Sequence, residues 1–175
     1  ATLNVGGDRL IRSLGGGSRG GRARQARRPD LRRRHQVPRD LRRAAMLREC
    51  IGDSGILMFD ANQSWSLPVA IPVCRSLARY RPLWIEEPTH PDDICAHVKL
   101  AEEIAPIKIA AGEHIPNRVL FKNFMQAGAL HYVQADCTRL GGVSEFLTVS
   151  LLARKLGLPV VPHVGDMGQL HQHLV

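Results

Sequence analysis

The chain has 175 residues, 44% of them hydrophobic, and a formal net charge of +8. That length suits one domain, and the apolar fraction allows a sizeable core. No apolar run approaches the roughly 18–20 residues that a membrane-spanning helix needs. The charge is unevenly placed. Residues 1–50 hold fourteen arginines against four acids, a net +10, whereas residues 51–175 hold ten basic and twelve acidic residues, a net −2.

Residues 1–38 are Gly- and Arg-rich, as in Gly15-Gly16-Gly17-Ser18-Arg19-Gly20-Gly21-Arg22, and contain no aromatic residue. Such a stretch buries too little apolar surface to offset its ordering entropy, so it reads as disordered. A shifted reading frame in GC-rich DNA yields the same composition and is the favoured origin. A nucleic-acid-binding tail would exploit the arginines but lacks aromatic interleaving. A mitochondrial presequence is Arg-rich but needs an amphipathic helix. The chain is therefore expected in the cytoplasm, with the mitochondrion as the alternative.

Order is expected from Arg39 to Val175. Leu41, Ala44, Ala45, Leu47 and Ile51 have helical spacing, and Gly52 is a stop. Strand 56–60 then precedes a helix of about 68–80, with Pro68 in its first turn. Strand 83–87 precedes a helix of about 91–104, where Pro91-Asp92-Asp93 suits an N-terminus. Strand 107–112 precedes a helix of about 117–127, and strand 131–136 a helix of about 143–156. A final strand spans 159–163. The strands are apolar on successive positions, as buried parallel strands are. Strand–helix alternation makes this an α/β fold with a parallel sheet.

Asp60, Glu86, Glu113, Asp136 and His163 each close one of these strands, at intervals of 26, 27, 23 and 27 residues. Polar groups ending every strand, rather than those at one switch point, favour a partial (β/α)₈ TIM-type barrel over a doubly wound sheet. A complete barrel needs roughly 200 residues or more, so a part of one is expected. Three carboxylates converging on one rim, Asp60, Glu86 and Glu113, repel one another unless a cation lies between them. An oxygen-preferring divalent ion, Mg²⁺, meets that demand. Asp136 beside His163 would fix the imidazole tautomer and make it a general base or acid.

Met58-Phe59-Asp60-Ala61-Asn62-Gln63, Trp84-Ile85-Glu86-Glu87-Pro88-Thr89, Gly112-Glu113-His114 and Pro162-His163 resemble the enolase superfamily and its mandelate racemase group. The strings from Gly112 to Lys122 and from Asp136 to Val143 are most similar to the L-fuconate dehydratase-like sugar-acid dehydratases of that group. The resemblance covers about residues 39–175 and implies an enolase C-terminal-like barrel. It implies that Asp60, Glu86 and Glu113 bind Mg²⁺, that Glu87 is not a ligand, and that Asp136 and His163 form the catalytic dyad. Asn62, His114, Asn117 and Arg139 are placed to contact the substrate by position alone. The implied reaction is a lyase reaction. The proton α to a sugar-acid carboxylate is removed, the metal stabilises the enediolate, and loss of the β-hydroxyl gives a 2-keto-3-deoxy acid. The alternatives are another acid-sugar dehydratase or racemase of the group, or a non-catalytic remnant with a binding role. The expected partner is a small sugar acid, with no membrane and no nucleic acid. A homo-oligomer is left open.

Three departures accompany the resemblance. The family carries a Lys-x-Lys motif on the strand before Asp60, some thirty residues upstream. Residues 30–37 read Asp-Leu-Arg-Arg-Arg-His-Gln-Val, and the first lysine of the chain is Lys99. Arginine stays protonated and cannot replace a lysine base. That strand, the family's N-terminal capping domain and its last barrel strand are all expected to be missing. Cys50, Cys74, Cys95 and Cys137 form no C-x-x-C pair. They read as reduced thiols behaving as buried small apolar residues.

Overall fold

The computed structural model describes residues 2–4, 37–163 and 168–174. Five short strands, β1 (Thr2–Asn4), β2 (Met58–Asp60), β3 (Trp84–Glu86), β4 (Lys108–Ala111) and β5 (Tyr132–Val133), lie in one parallel sheet in chain order. Among the described residues six α-helices accompany them: α1 (Val37–Ile51), α2 (Leu67–Leu77), α3 (Ile94–Ile104), α4 (Arg118–Gln126), α5 (Val143–Lys155) and α6 (Gly168–His171). Each new strand pairs with the one before it, so the order never reverses as it does at the switch point of a doubly wound sheet. The fold is a partial (β/α)₈ TIM-type barrel.

Local signals set the helix starts. Pro68 stands in the first turn of α2, where its missing N–H is no loss. Asp93 caps α3 by accepting from the Ala96 amide at 2.9 Å. The Asn117 side chain caps α4, accepting from the Val119 and Leu120 amides at 3.0 Å each. Phe59, Ile85, Ile109 and Val133 on the strands are fully buried. Against them pack Cys74, Leu77, Leu100, Phe121, Phe124, Phe146 and Val149 from the helices.

Three expectations change. First, the sheet does not begin at Met58. Thr2–Asn4 pairs with β2 in the register Thr2 to Met58 and Asn4 to Asp60. A strand does precede Asp60 in the sheet, then, and it comes from inside the segment read as disordered. Its sequence, Thr-Leu-Asn, contains no lysine. The rest of the Arg/Gly-rich stretch, residues 5–36, lies outside the described residues. Second, the strand expected over 159–163 is reduced to a parallel bridge between Val133 and Val160. Pro159 and Pro162 have no N–H to give, which interrupts the ladder. Three backbone bonds remain: Val133 donates to the Pro159 carbonyl at 3.0 Å, Val161 to the Val133 carbonyl at 2.9 Å, and His163 to the Ala135 carbonyl at 3.1 Å. Third, all four cysteines are free, but only Cys74 and Cys137 are buried; Cys50 and Cys95 are exposed on helices. No helix among the described residues is long and apolar enough to cross a membrane.

Candidate active site

Parallel strands in chain order send all their C-terminal ends to one rim. Backbone hydrogen bonds carry the pairing past the strands and hold that rim together. Ala61 donates to the Glu86 carbonyl at 2.9 Å, Glu87 to Ala110 at 3.0 Å, and Gln134 to Ala111 at 3.0 Å. Gly112 is what lets the Glu113 turn lie against the next strand. Its φ is +156°, and a Cβ there would sit 2.5 Å from the Gln134 carbonyl oxygen and 2.6 Å from its carbon. Both are backbone atoms that cannot swing aside. Gly112→Ala is therefore expected to destabilise the fold by more than about 2 kcal/mol, read as a lowered midpoint in urea denaturation.

At the centre His163 lies between two carboxylates. Its Nδ1 donates to Asp136 Oδ2 at 2.8 Å and its Nε2 to Glu113 Oε2 at 2.6 Å. Both ring nitrogens are donors in this arrangement, which is the imidazolium form. The hydrogen bond to Glu113 is the main reason its pKa rises to about 9. Burial opposes that rise and the bond to Asp136 adds to it. Burial alone would raise Asp136, but bonds from His163 and from the Thr138 hydroxyl (2.7 Å) and amide (2.8 Å) prevail and bring it to about 2. Glu113 behaves alike: burial raises it, yet the His163 bond and the charges of His163, Arg139 and His114 hold it below the usual carboxylate range.

Asp60 is held by its neighbour Asn62, whose amide donates to Oδ1 at 2.8 Å and whose side-chain amide donates to Oδ2. Burial pushes the Asp60 carboxyl up to about 7. Asn62 counters this, while the nearby charges of Glu86, Glu87 and Glu113 add to it. Glu86 accepts from the Trp84 indole at 3.4 Å. The carboxylates outnumber the cationic groups among them, Arg139 and His163, and hard oxygen donors in excess of positive charge suit a divalent cation such as Mg²⁺. Asp60 and Glu86 are not drawn tightly onto Glu113. Among the described residues, the groups with ligand atoms within 4.8 Å of one another are Glu87, Glu113 and His114, and separately Asp136, Cys137 and His171.

Of the residues picked out by position, His114 and Arg139 join this centre. Arg139 Nη1 lies 3.2 Å from Glu113 Oε1 and 3.3 Å from His114 Nε2. Asn62 is engaged with Asp60. The Asn117 side-chain oxygen is used as the cap of α4. Three further side chains belong to the site: sequence reasoning set Glu87 aside as a non-ligand and did not single out Gln63 or His171. Glu87 is 3% exposed and accepts from Gln63 Nε2 at 2.9 Å and from His114 Nδ1 at 2.7 Å. Burial raises its pKa against the pull of those two partners. Gln63 is part of the same contact. His171, on α6 and 2% exposed, places Nε2 3.0 Å from the Cys137 amide and 3.2 Å from Asp136 Oδ1.

A family profile described as Enolase C-terminal domain-like matches residues 14–174. The chain is 50% identical over 140 residues to the Xenopus laevis protein named mitochondrial enolase superfamily member 1, covering 78% of this chain and 32% of that one. It is 47% identical over 144 residues to L-galactonate dehydratase of Hypocrea jecorina, covering 79% and 32%. A crystal structure of L-talarate dehydratase from Polaromonas sp. JS666, complexed with Mg and L-glucarate, superposes with a TM-score of 0.73. The identity there is 34%, and the match covers 79% of this chain and 38% of that one. The chain thus spans about a third of the length of the curated relatives it matches.

Proposed function

The chain belongs to the enolase C-terminal domain-like family, and from that premise we propose that its site serves Mg²⁺-dependent dehydration of a sugar acid, L-fuconate-like, to a 2-keto-3-deoxy acid. The observation that carries this reading is His163, held by Asp136 at 2.8 Å on one side with its Nε2 facing the acidic rim on the other. Asp60, Glu86 and Glu113 would hold the metal. Bound Mg²⁺ supplies positive charge to the substrate carboxylate as the α proton leaves. Neutral His163 takes that proton on Nε2 while Asp136 keeps Nδ1–H oriented. The resulting imidazolium then returns the proton to the departing β-hydroxyl, which leaves as water. Arg139 and His114 are the proposed contacts for substrate oxygens.

A racemase reading needs a second base on the opposite face of the α carbon. The strand beside Asp60 holds Thr2, Leu3 and Asn4, none of which is a base near neutral pH. Elimination asks only that one group act first as base and then as acid, the part given to His163. Keto-acid release from a panel of sugar acids with Mg²⁺ tests the proposal. A His163→Asn chain should be at least about 100-fold slower than the wild type. Exchange of the α proton for solvent deuterium, followed by NMR, reads the first step even where elimination is slow. Equal rates in wild type and His163→Asn would overturn the assignment, and substrate epimerisation without keto acid would favour the racemase reading.

A further inference from the structure

Three residues of the site loops that are not glycine have left-handed backbone: Asn62 at φ +44°, Gln63 at +58° and Glu87 at +40°. Such conformations cost of order 1–3 kcal/mol each and persist where the surroundings hold them. Here they converge on one contact. The turn at Glu87 brings its carboxylate into the same cluster as Gln63 and His114. We propose that Glu87 is a positioning residue: its buried carboxylate accepts a hydrogen bond from His114 Nδ1–H, which leaves His114 Nε2 to accept from Arg139 and so fixes the guanidinium lying between Glu113 and Asp136.

The proton assignment follows from the surroundings of Nδ1. Two carboxylate oxygens face it, Glu87 Oε1 at 2.7 Å and Glu113 Oε1 at 3.1 Å. A bare Nδ1 would set a lone pair against both. The Gln63 amide nitrogen is also 2.6 Å from Nδ1 and 2.9 Å from Glu87 Oε2. A donating Gln63 suits Glu87 Oε2 and crowds a protonated Nδ1, so the two arrangements compete, and two carboxylates outweigh one amide. A ring carrying its one proton on Nδ1 has a lone pair on Nε2, and Arg139 Nη1 at 3.3 Å is the donor that meets it. Arg139 is then held at three points, since its Nη1 also reaches Glu113 Oε1 at 3.2 Å and its Nε lies 3.7 Å from Asp136 Oδ2. Glu87 thus acts on the site through His114, without touching the substrate.

The purpose given to Arg139 rests on the proposed function above, but the tautomer of His114 does not, and the test reads the tautomer without metal, substrate or turnover. Long-range ¹H–¹⁵N spectra of the histidine-labelled full chain are recorded near neutral pH, with His114 assigned from the signal missing in His114→Asn. We expect the Nδ1–H tautomer in wild type. Glu87→Gln keeps an oxygen that can accept and should retain it, whereas Glu87→Met removes the acceptor and should lose it. The slowly exchanging Arg139 guanidinium protons should vanish in Glu87→Met and His114→Asn alike. An Nε2–H tautomer in wild type overturns the proposal, as does an unchanged tautomer in a folded Glu87→Met. Should Glu87→Met not fold, the wild-type and Glu87→Gln spectra decide it between them.

Discussion

Asp60→Asn is expected to raise the melting temperature of the metal-free chain at pH 8 and to leave it almost unchanged at pH 4. The reason is the sign of the Asp60 shift. Its carboxyl titrates near 7 in the folded chain against 3.8 when unperturbed. A raised folded pKa means that the group favours folding fully below about pH 4. That contribution is lost as the pH climbs through 7 and the buried carboxylate must ionise beside Glu86, Glu87 and Glu113. Three pH units correspond to at most about 4 kcal/mol. The site is only partly buried and solvent screens the charge, so a net gain of about 2 kcal/mol at pH 8 is the expected size, or roughly 4–8 °C. An equal gain at both pH values would show that the carboxylate charge is not the cause.

The same substitution should cancel the response to Mg²⁺. The wild-type chain, given the ion at a hundred times its Kd, should gain about 2.7 kcal/mol. Asp60→Asn and Glu113→Gln should each gain little. The wild-type response should also weaken as the pH falls below about 7, because the ion must displace the Asp60 proton. Calorimetric scans at three pH values separate these outcomes. A Mg²⁺ response that survives in both variants would remove Asp60 and Glu113 from the proposed metal site.

The rim was legible because its signal is periodic. Asp60, Glu86, Glu113, Asp136 and His163 each follow an apolar run, and a parallel α/β chain sends every such position to one end of the sheet. What stayed hidden has no period. A regular strand would send Glu86 and Glu87 to opposite faces; the left-handed turn at Glu87 re-aims it, and nothing in Glu86-Glu87-Pro88 announces that backbone. His171 comes eight residues after His163, inside no repeat, and finds Asp136 through the course of the chain rather than through spacing. Thr2–Asn4 carries no apolar run and pairs with a strand more than fifty residues away. Neither local propensity nor the expected thirty-residue offset could place it.

His163 should lose its high pKa when Mg²⁺ binds. In the metal-free chain the first cause of the rise to about 9 is the hydrogen bond to Glu113, and Glu113 is also a proposed metal ligand. One carboxylate cannot serve a divalent cation fully and still hold the imidazolium as closely, so the ion and His163 compete for it. Without metal, a folded pKa above 6.5 means that the His163 contribution to stability is complete below about pH 6.5 and fades as the pH rises through 9. With Mg²⁺ present, the cation charge adds to the loss of Glu113, and His163 should titrate markedly lower, toward the neutral range where a general base is effective. Glu113→Gln should lower it without metal, by removing the same partner. Asp136 would still hold Nδ1, so the ring keeps its orientation while its proton affinity falls. Titration of the His163 ring signals by NMR, with and without Mg²⁺, measures both shifts. An unchanged midpoint on adding Mg²⁺, in a chain that the ion demonstrably stabilises, would mean that the ion binds without drawing on Glu113. Glu113 would then belong to the His163–Asp136 pair alone, and the metal would rest on Asp60 and Glu86 with ligands from elsewhere.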